Sequence, residues 1–209
     1  MYRPKANIVD DVAALHAAIR TRRFATIAAV SDGTIAFAYA PVVLDADADP
    51  RGHLRFHLAA ANPLSQLNGE TVRMSFLGPD TYISPDWYAS PGLVPTWNYI
   101  AVEVSGRAQR LDEPALRQLL VDLSAREEAS LAPKRPWTID KVPEERMAPL
   151  MRAIVGFDIA IETVEGKFKL SQEKSDADFA GVVSALEARD DASASGVAAQ
   201  MRRRRQTQS

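Results

Sequence analysis

The chain of 209 residues contains no cysteine. Disulfide bonds, thiolate metal sites and cysteine nucleophiles are therefore excluded, and the composition suits a reducing cytoplasm. Long apolar runs are also missing. The longest uncharged stretch, residues 87–102, contains Pro91 and Pro95 and falls short of the ~18 apolar residues of a membrane helix. No apolar segment follows the first residues, so we expect no secretory signal and a cytoplasmic location.

Glycine clusters are absent as well. The 10 glycines are dispersed along the chain. A dinucleotide fingerprint or a P-loop needs several glycines close together, because the backbone must approach phosphate there. Rossmann-type cofactor binding and P-loop nucleotide hydrolysis are therefore excluded.

Histidine is scarce, with only His16, His53 and His57 in the chain. On one strand, His53 and His57 would face the same side but lie roughly 13 Å apart at ~3.3 Å per residue, too far for one metal ion. Ser84 and Ser171 lie outside any Gly-x-Ser-x-Gly motif. We therefore predict no metal site and identify no catalytic acid, base or nucleophile.

The charges nearly balance, with a formal net charge of −2 that gives no general attraction to nucleic acid. One basic cluster ends the chain, formed by Arg202, Arg203, Arg204 and Arg205. On a terminal helix this run could grip DNA phosphates. A solvated tail is the alternative that we favour, since chain termini fray.

The hydrophobic pattern predicts many short strands and few helices. Helices are expected to begin near Asp10, Asp112, Ser175 and Ser195, with a proline-broken linker after the second of them. Residues 80–95 are expected to form a loop, with the preceding strand ended by Gly78-Pro79. Asp32-Gly33 predicts a hairpin, Asn62-Pro63 a short helical turn capped by Asn62, and Ser175-x-x-Asp178 a capping box. Strands are expected over residues 24–30, 34–44, 54–58, 71–77, 96–111 and 153–171, the last a pair bent near residues 165–166. The pattern predicts a mainly β fold (α+β), an antiparallel barrel with peripheral helices.

Four motifs carry a family resemblance. They are HLAAANP at residues 57–63, YISPDWY at 82–88, VPTWNY at 94–99 and GKFKLSQ at 166–172. In this order they resemble the PaiB family of FMN-binding split-barrel proteins, which share a fold with pyridoxamine-phosphate oxidases. The resemblance implies a homodimer with FMN held between subunits, and a role in negative control of transcription. We expect a split-barrel domain at residues 1–172 and a helical extension with a basic tail at 173–209.

Strand periodicity orders the side chains of the last motif. Lys167, Lys169 and Ser171 share one face of a strand. Two ammonium groups and a hydroxyl suit a phosphate or a pyrimidine-dione edge, although alternating lysines also occur on solvated strand faces.

The VPTWNY motif alternates in the same way, with Thr96 and Asn98 on one face and Trp97 on the other. Trp97 could wall an isoalloxazine ring, or it could pack in the core or at a dimer interface. From the resemblance we expect FMN to be bound by eight residues: His57, Asn62, Thr96, Trp97, Asn98, Lys169, Ser171 and Gln172.

The chain departs from the family's motifs at several places. Tyr39 stands where a histidine is common, and the loop between Tyr88 and Val94 is shorter than usual. Ala60 stands where the family has an arginine, and Glu173 stands where it has an amide. If that arginine neutralises the phosphate, its loss costs on the order of 1.5–3 kcal/mol, which predicts weakened FMN binding or another anionic ligand. Two alternative functions stay open: a flavin-dependent oxidoreductase of the pyridoxamine-phosphate-oxidase-like class, and a split barrel that has lost flavin binding.

Overall fold

The computed structural model describes residues 1–48 and 51–206. The strands within these residues are Ile8–Val9 (β1), Phe24–Ser31 (β2), Thr34–Pro41 (β3), Val43–Asp45 (β4), His53–Ala59 (β5), Thr71–Ile83 (β6), Thr96–Arg110 (β7), Ile154–Ala160 (β8) and Thr163–Lys169 (β9). The α-helices are Val12–Arg22 (α1), Glu113–Ala129 (α2), Glu144–Arg152 (α3), Asp176–Glu187 (α4) and Ala192–Gln206 (α5). Every strand pair with a defined register is antiparallel, which confirms the predicted mainly β fold with peripheral helices.

The chain divides into two compact units. The first comprises Met1–Leu15, Leu77–Val102 and Glu165–Ser209, and the second comprises His16–Phe76 and Glu103–Val164. β6 and β7 contribute residues to both units. The expected division at residue 172 stays a prediction, and residues 207–209 of the expected tail lie outside the described residues.

The second unit contains two runs of paired strands, β3-β2-β6 and β7-β8-β5-β4. The predicted hairpin between β2 and β3 is confirmed: Asp32 and Gly33 have φ angles of 50° and 73°, which lie in the left-handed region that Asp-Gly turns favour. The expected strand over residues 34–44 is instead two strands, β3 and β4, with Val42 between them.

Helix α2 covers one side of the second unit because its leucines recur at helical spacing. Asp112 caps the helix by accepting the Ala115 N–H at 2.9 Å. Leu116, Leu119 and Leu123 are buried, and they pack with side chains of the following segment: Ile139, Met147 and Met151.

The segment expected to be a linker therefore contains a helix, α3, that the prediction missed. Pro143 precedes the helix as its N-cap residue, and Pro149 lies inside it. Four prolines lie within residues 130–152. The burial of Met147 and Met151 against α2 nevertheless stabilises a helix whose local sequence is unfavourable.

Arg55 joins three elements of the second unit. Its guanidinium contacts Asp45 of β4 at 2.5 Å and Asp122 of α2 at 2.7 Å. The hydrogen bonds that Arg55 donates, first to Asp45 and then to Asp122, raise the pKa of Arg55 further above its ordinary value. Because Arg55 is thus committed to two carboxylates, it is not available to replace the family arginine that is missing at Ala60.

In the first unit, β6 pairs with β7, β7 with β9, and β9 with β1. The expected end of β6 at Gly78-Pro79 is wrong, since the strand continues to Ile83. Gly78 permits this because it lies directly against Ile100 of β7, where an added Cβ would stand 2.6 Å from the Ile100 Cβ. Most of the segment expected to be a loop at 80–95 remains irregular, with a short 3-10 helix at Pro85–Trp87.

The two expected strands over 153–171 form as β8 and β9, with a break at residues 161–162 rather than a bend at 165–166. Each of them pairs with β7. Residue 166 lies within β9 and is buried. A Cβ added to Gly166 would lie 2.2 Å from Leu15 Cδ2, so glycine serves close packing there rather than a bend.

Two helices complete the first unit. The predicted cap of α4 is confirmed, since the Ser175 hydroxyl accepts the Asp178 N–H at 3.2 Å. α5 begins three residues before the predicted start and buries Ala194, Val197, Ala198 and Met201. Across residues 1–48 and 51–206, no helix combines the length and apolarity needed to cross a bilayer.

Candidate functional site

A buried polar pair lies at the centre of the first unit. Asn98 Nδ2 donates to the Ser171 hydroxyl at 2.9 Å and to Met201 Sδ at 3.6 Å. Asn98 is 0% exposed and Ser171 is 3% exposed. The pair joins β7, the end of β9 and helix α5, and Met201 covers it from α5.

The backbone at Ser171 is adapted to this contact. Its φ angle of 57° lies in the left-handed region, which is unfavourable for a residue with a side chain. Tyr88 also forms a hydrogen bond with Ser171, and burial raises the pKa of the Tyr88 hydroxyl. Sequence reasoning missed Tyr88, although it lies in the YISPDWY motif.

Gln172 has no polar atom to spare for a ligand. Its Oε1 accepts the Leu170 N–H at 2.7 Å, while its Nε2 donates to the Ala6 carbonyl at 2.7 Å and to the Phe168 carbonyl at 2.6 Å. The side chain therefore ties the end of β9 to the N-terminal segment.

Lys169 of β9 and Thr96 of β7 form a polar pair in the first unit that is not fully buried. The Lys169 ammonium donates to the Thr96 hydroxyl, and both side chains are partly exposed. Next along β7, Trp97 is 53% exposed and meets Tyr82 edge-on at 6.2 Å between ring centroids. The cation and the hydroxyl therefore meet on one face of the strands, whereas the exposed indole of Trp97 lies on the opposite face of β7.

Lys167 has a different role from Lys169. Its ammonium lies 5.5 Å from the Tyr2 ring centroid and 5.2 Å from that of Tyr99. Such cation–π contacts hold the Lys167 ammonium over aromatic faces. Lys169 instead pairs with the Thr96 hydroxyl.

His57 and Asn62 belong to the second unit. Asn62 caps the 3-10 helix Pro63–Gln66, and its Oδ1 accepts the Leu64 N–H at 2.9 Å, as the Asn-Pro sequence predicted. His57 lies on β5 beside a cavity, and burial lowers the pKa of its imidazole below the ordinary value. The ring is therefore neutral at neutral pH.

Asp178 is a residue whose second role sequence reasoning missed. Besides capping α4, its carboxylate accepts the Ser90 N–H at 2.8 Å and the Ser90 hydroxyl at 2.9 Å. These hydrogen bonds lower the pKa of Asp178, and the bond from the Ser90 backbone N–H has the largest effect. They fasten the loop before the VPTWNY motif to α4. The capping-box pattern was the only sequence signal, and it indicates a cap alone.

The arginine run at the end of α5 is partly engaged within the first unit. Arg202 forms a two-point ion pair with Glu187 at 2.8 and 2.9 Å. Arg205 pairs with Asp176 and lies 4.7 Å from the Phe179 ring centroid. Across the described part of the chain, no group of three or more His, Asp or Glu side chains could hold a metal ion.

Comparison with solved structures identifies the fold class. The FAD and heme binding protein from Mycobacterium smegmatis matches with a TM-score of 0.57 at 20% identity, covering 83% of this chain and 79% of that chain. The flavocytochrome Anf3 from Azotobacter vinelandii also matches with a TM-score of 0.57, at 16% identity, over 86% of this chain and 78% of its own. At these identities the likeness concerns the fold, and it confirms the split-β-barrel class.

The family follows from sequence comparison. The chain belongs to the family described as "Putative FMN-binding domain", whose profile matches residues 1–163. A curated relative, the "Protease synthase and sporulation protein PAI 2" of Bacillus subtilis, is 29% identical over 189 residues, covering 90% of this chain and 89% of the relative. The predicted resemblance to PaiB proteins is thereby confirmed.

The buried pair yields a stability prediction. Replacing Asn98 with alanine removes two contacts and leaves the Ser171 hydroxyl buried, so Asn98→Ala should lower the free energy of unfolding by about 2–3 kcal/mol. Thr163→Ala is the matched control, because Thr163 and Ser105 form an exposed hydroxyl pair at 2.5 Å. Its effect should stay within about 0.5 kcal/mol. Urea denaturation measures both, and equal losses in the two variants would contradict the structural role of Asn98.

Proposed function

We propose that this protein binds FMN and acts as a PaiB-like negative regulator of transcription. The observation that carries the proposal is the family match over residues 1–163. Further support comes from the side chains of the first unit, where an ammonium and a hydroxyl meet on one face of β9 and β7 and an exposed indole lies on the other face of β7.

These side chains fit the chemistry of FMN. The Lys169 ammonium and the Thr96 hydroxyl can donate to phosphate oxygens or to the dione edge of the flavin. Trp97 offers an aromatic face for a flat ring system. The proposal therefore assigns direct contacts to Lys169, Thr96 and Trp97. It assigns positioning roles to Asn98, Ser171 and Gln172, whose polar atoms bind one another or the backbone.

His57 and Asn62, the other two residues expected from the resemblance, lie in the second unit, and the proposal assigns neither of them a contact with FMN. Asn62 positions the turn after β5 by capping it. Ala60, where the family has arginine, contributes no charge. The absence of that contact supports modest rather than tight FMN affinity. When bound, FMN would supply the redox-active isoalloxazine ring, and the protein would contribute binding and orientation.

The affinity for FMN should depend on Lys169. Replacing Lys169 with methionine removes one charge-assisted contact, so the dissociation constant should rise about 10- to 100-fold. Quenching of flavin fluorescence during titration measures this. Lys141→Met is the matched control, because Lys141 carries the same charge in the second unit, and its affinity should equal that of the wild type. Unsaturable quenching by wild-type protein would overturn FMN binding, whereas an unaffected Lys169→Met variant would overturn only the assigned contact.

We also propose that the protein is a homodimer, as the resemblance implies. One face of the β2–β3 hairpin supports this. The register of the two strands places five large apolar side chains on that face, and each of them is 58% to 69% exposed. They are Phe24, Val30, Ile35, Phe37 and Tyr39. The opposite face, with Ile27, is buried in the core. Exposed apolar surface of this extent is unusual in a monomer and typical of an interface.

The β2–β3 face predicts how the dimer can be broken. Phe37→Lys should raise the dimer dissociation constant at least ~30-fold, since it places a charge in an apolar contact. Leu131→Lys makes the same change at a 51% exposed leucine outside this face and should leave association intact. Sedimentation equilibrium over a range of concentrations measures both. A wild-type protein that is monomeric at high concentration would contradict the proposal.

Regulation is supported by the family resemblance, and the name of the Bacillus relative refers to protease synthesis and sporulation. We place the protein in the cytoplasm on the composition. In a strain lacking the gene, transcripts under its control should rise. Complementation with the wild type or Lys141→Met should restore repression, whereas Lys169→Met should not, if regulation depends on FMN. A transcriptome unchanged by the deletion would contradict a regulatory role.

The same assay addresses DNA contact through Arg202, Arg203, Arg204 and Arg205. A chain ending at Met201 keeps the side chain that covers Asn98 but lacks the run. If the run contacts DNA, this chain should bind FMN normally and fail to repress. The intramolecular ion pairs of Arg202 and Arg205 reduce the charge that the run can offer to DNA. Normal repression by the shortened chain would contradict DNA contact through the arginine run.

A further inference from the structure

The connection between β6 and β7, residues 84–95, is held against helix α4 of the same unit. Asp178 in the first turn of α4 makes this attachment, because its carboxylate accepts the Ser90 N–H at 2.8 Å and the Ser90 hydroxyl at 2.9 Å. The 84–95 segment leads directly into Thr96 and Trp97. These are two of the residues to which we assign contacts with FMN.

The carboxylate of Asp178 is suited to a holding role. Its side chain is buried, and the Ser175 hydroxyl also donates to it, at 2.8 Å. A carboxylate in the first turn of a helix is stabilised by the helix dipole, and hydrogen bonds to a charged acceptor are stronger than those between neutral groups. Asp178 can therefore fix a segment that lies 88 residues away along the chain.

Close packing fixes the same segment at a second point. A Cβ added to Gly181 of α4 would stand 2.2 Å from the Trp87 carbonyl oxygen, well inside van der Waals distance. Glycine therefore lets α4 meet the 3-10 helix Pro85–Trp87 backbone to backbone. The Lys174 ammonium, just before α4, lies 5.6 Å from the centroid of the Tyr88 ring.

The segment in turn reaches the polar pair at the centre of the unit. Tyr88 forms a hydrogen bond with Ser171, and Ser171 accepts from Asn98 at 2.9 Å. Ser171 lies two residues after Lys169, and Asn98 lies two residues after Thr96. A shift of the segment would therefore act on both strands that carry the Lys169–Thr96 pair.

We propose that Asp178 is a positioning residue of the FMN site, which holds the 84–95 segment and through it the ends of β7 and β9. The inference rests on the proposed function and deepens it, because it places control of the FMN affinity in α4. This helix lies beyond residues 1–163, which the family profile matches. The part of the chain outside the profile would thus tune the site that the profile implies.

Replacing Asp178 tests the role. Asp178→Ala removes both acceptor oxygens and should raise the dissociation constant of FMN about tenfold. Asp178→Asn keeps one acceptor oxygen and should restore part of the affinity. Asp176→Ala is the matched control, because Asp176 lies in the same helix turn but is 94% exposed, and its affinity should equal that of the wild type. Quenching of flavin fluorescence measures all four proteins.

A steric variant displaces the segment by other means. Gly181→Ala leaves every polar group in place but directs a methyl group at the Trp87 carbonyl, so it should weaken FMN binding in the same direction. Thermal unfolding establishes that each variant is folded at the temperature of the titration.

A double-mutant cycle separates positioning from general destabilisation. If Asp178 acts by placing the Lys169–Thr96 pair, its replacement should matter less once Lys169 is gone. In a Lys169→Met background, Asp178→Ala should therefore weaken FMN binding by less than about threefold. Equal losses in the two backgrounds would overturn the positioning role.

Hydrogen exchange at the Ser90 amide, measured by NMR without FMN, tests the attachment itself. Exchange should be faster in Asp178→Ala than in Asp176→Ala, and equal rates would overturn the hold on the segment. Wild-type protein that binds no FMN would overturn the proposed function and this role with it. Unchanged FMN affinity in Asp178→Ala, together with faster exchange at Ser90, would overturn the positioning role alone.

Discussion

The hydrogen bond between Asn98 and Ser171 is the contact on which the first unit depends. Its partners are separated by 73 residues of chain and are almost completely buried. Because an unpaired amide in such a position would be costly, β7, the end of β9 and α5 must meet in one arrangement. The left-handed backbone at Ser171 is tolerated because this arrangement requires it. The neighbouring Lys169 and Thr96 are thereby held at fixed positions.

Local sequence signals correctly predicted the turns and caps that neighbouring residues determine. Asp32-Gly33 formed the expected hairpin, Asn62-Pro63 the expected cap, and Ser175 with Asp178 the expected helix start. The failures have a tertiary cause. β6 passes through Gly78-Pro79 because Gly78 packs on Ile100, and α3 forms around its prolines because Met147 and Met151 are buried against α2. Propensity alone carries no information on such partners.

The candidate site shows the same limit more sharply. Strand alternation correctly separated Asn98, which is buried, from Trp97, which is exposed. It could not distinguish a side chain that faces a ligand from one that holds the fold. Asn98, Ser171 and Gln172 all carry suitable polar groups, yet those groups are bonded within the protein. Their place in family motifs is therefore compatible with positioning Lys169 and Thr96 rather than with direct contact.

The two units offer ligands different chemistry. The first presents an ammonium next to a hydroxyl on one strand face and an exposed indole on the other. The second presents a largely apolar cavity whose rim carboxylates are paired and whose imidazole is neutral. Burial is the cause of the contrast. A group that keeps water can stay charged, whereas His57 avoids the cost of a buried charge by losing its proton.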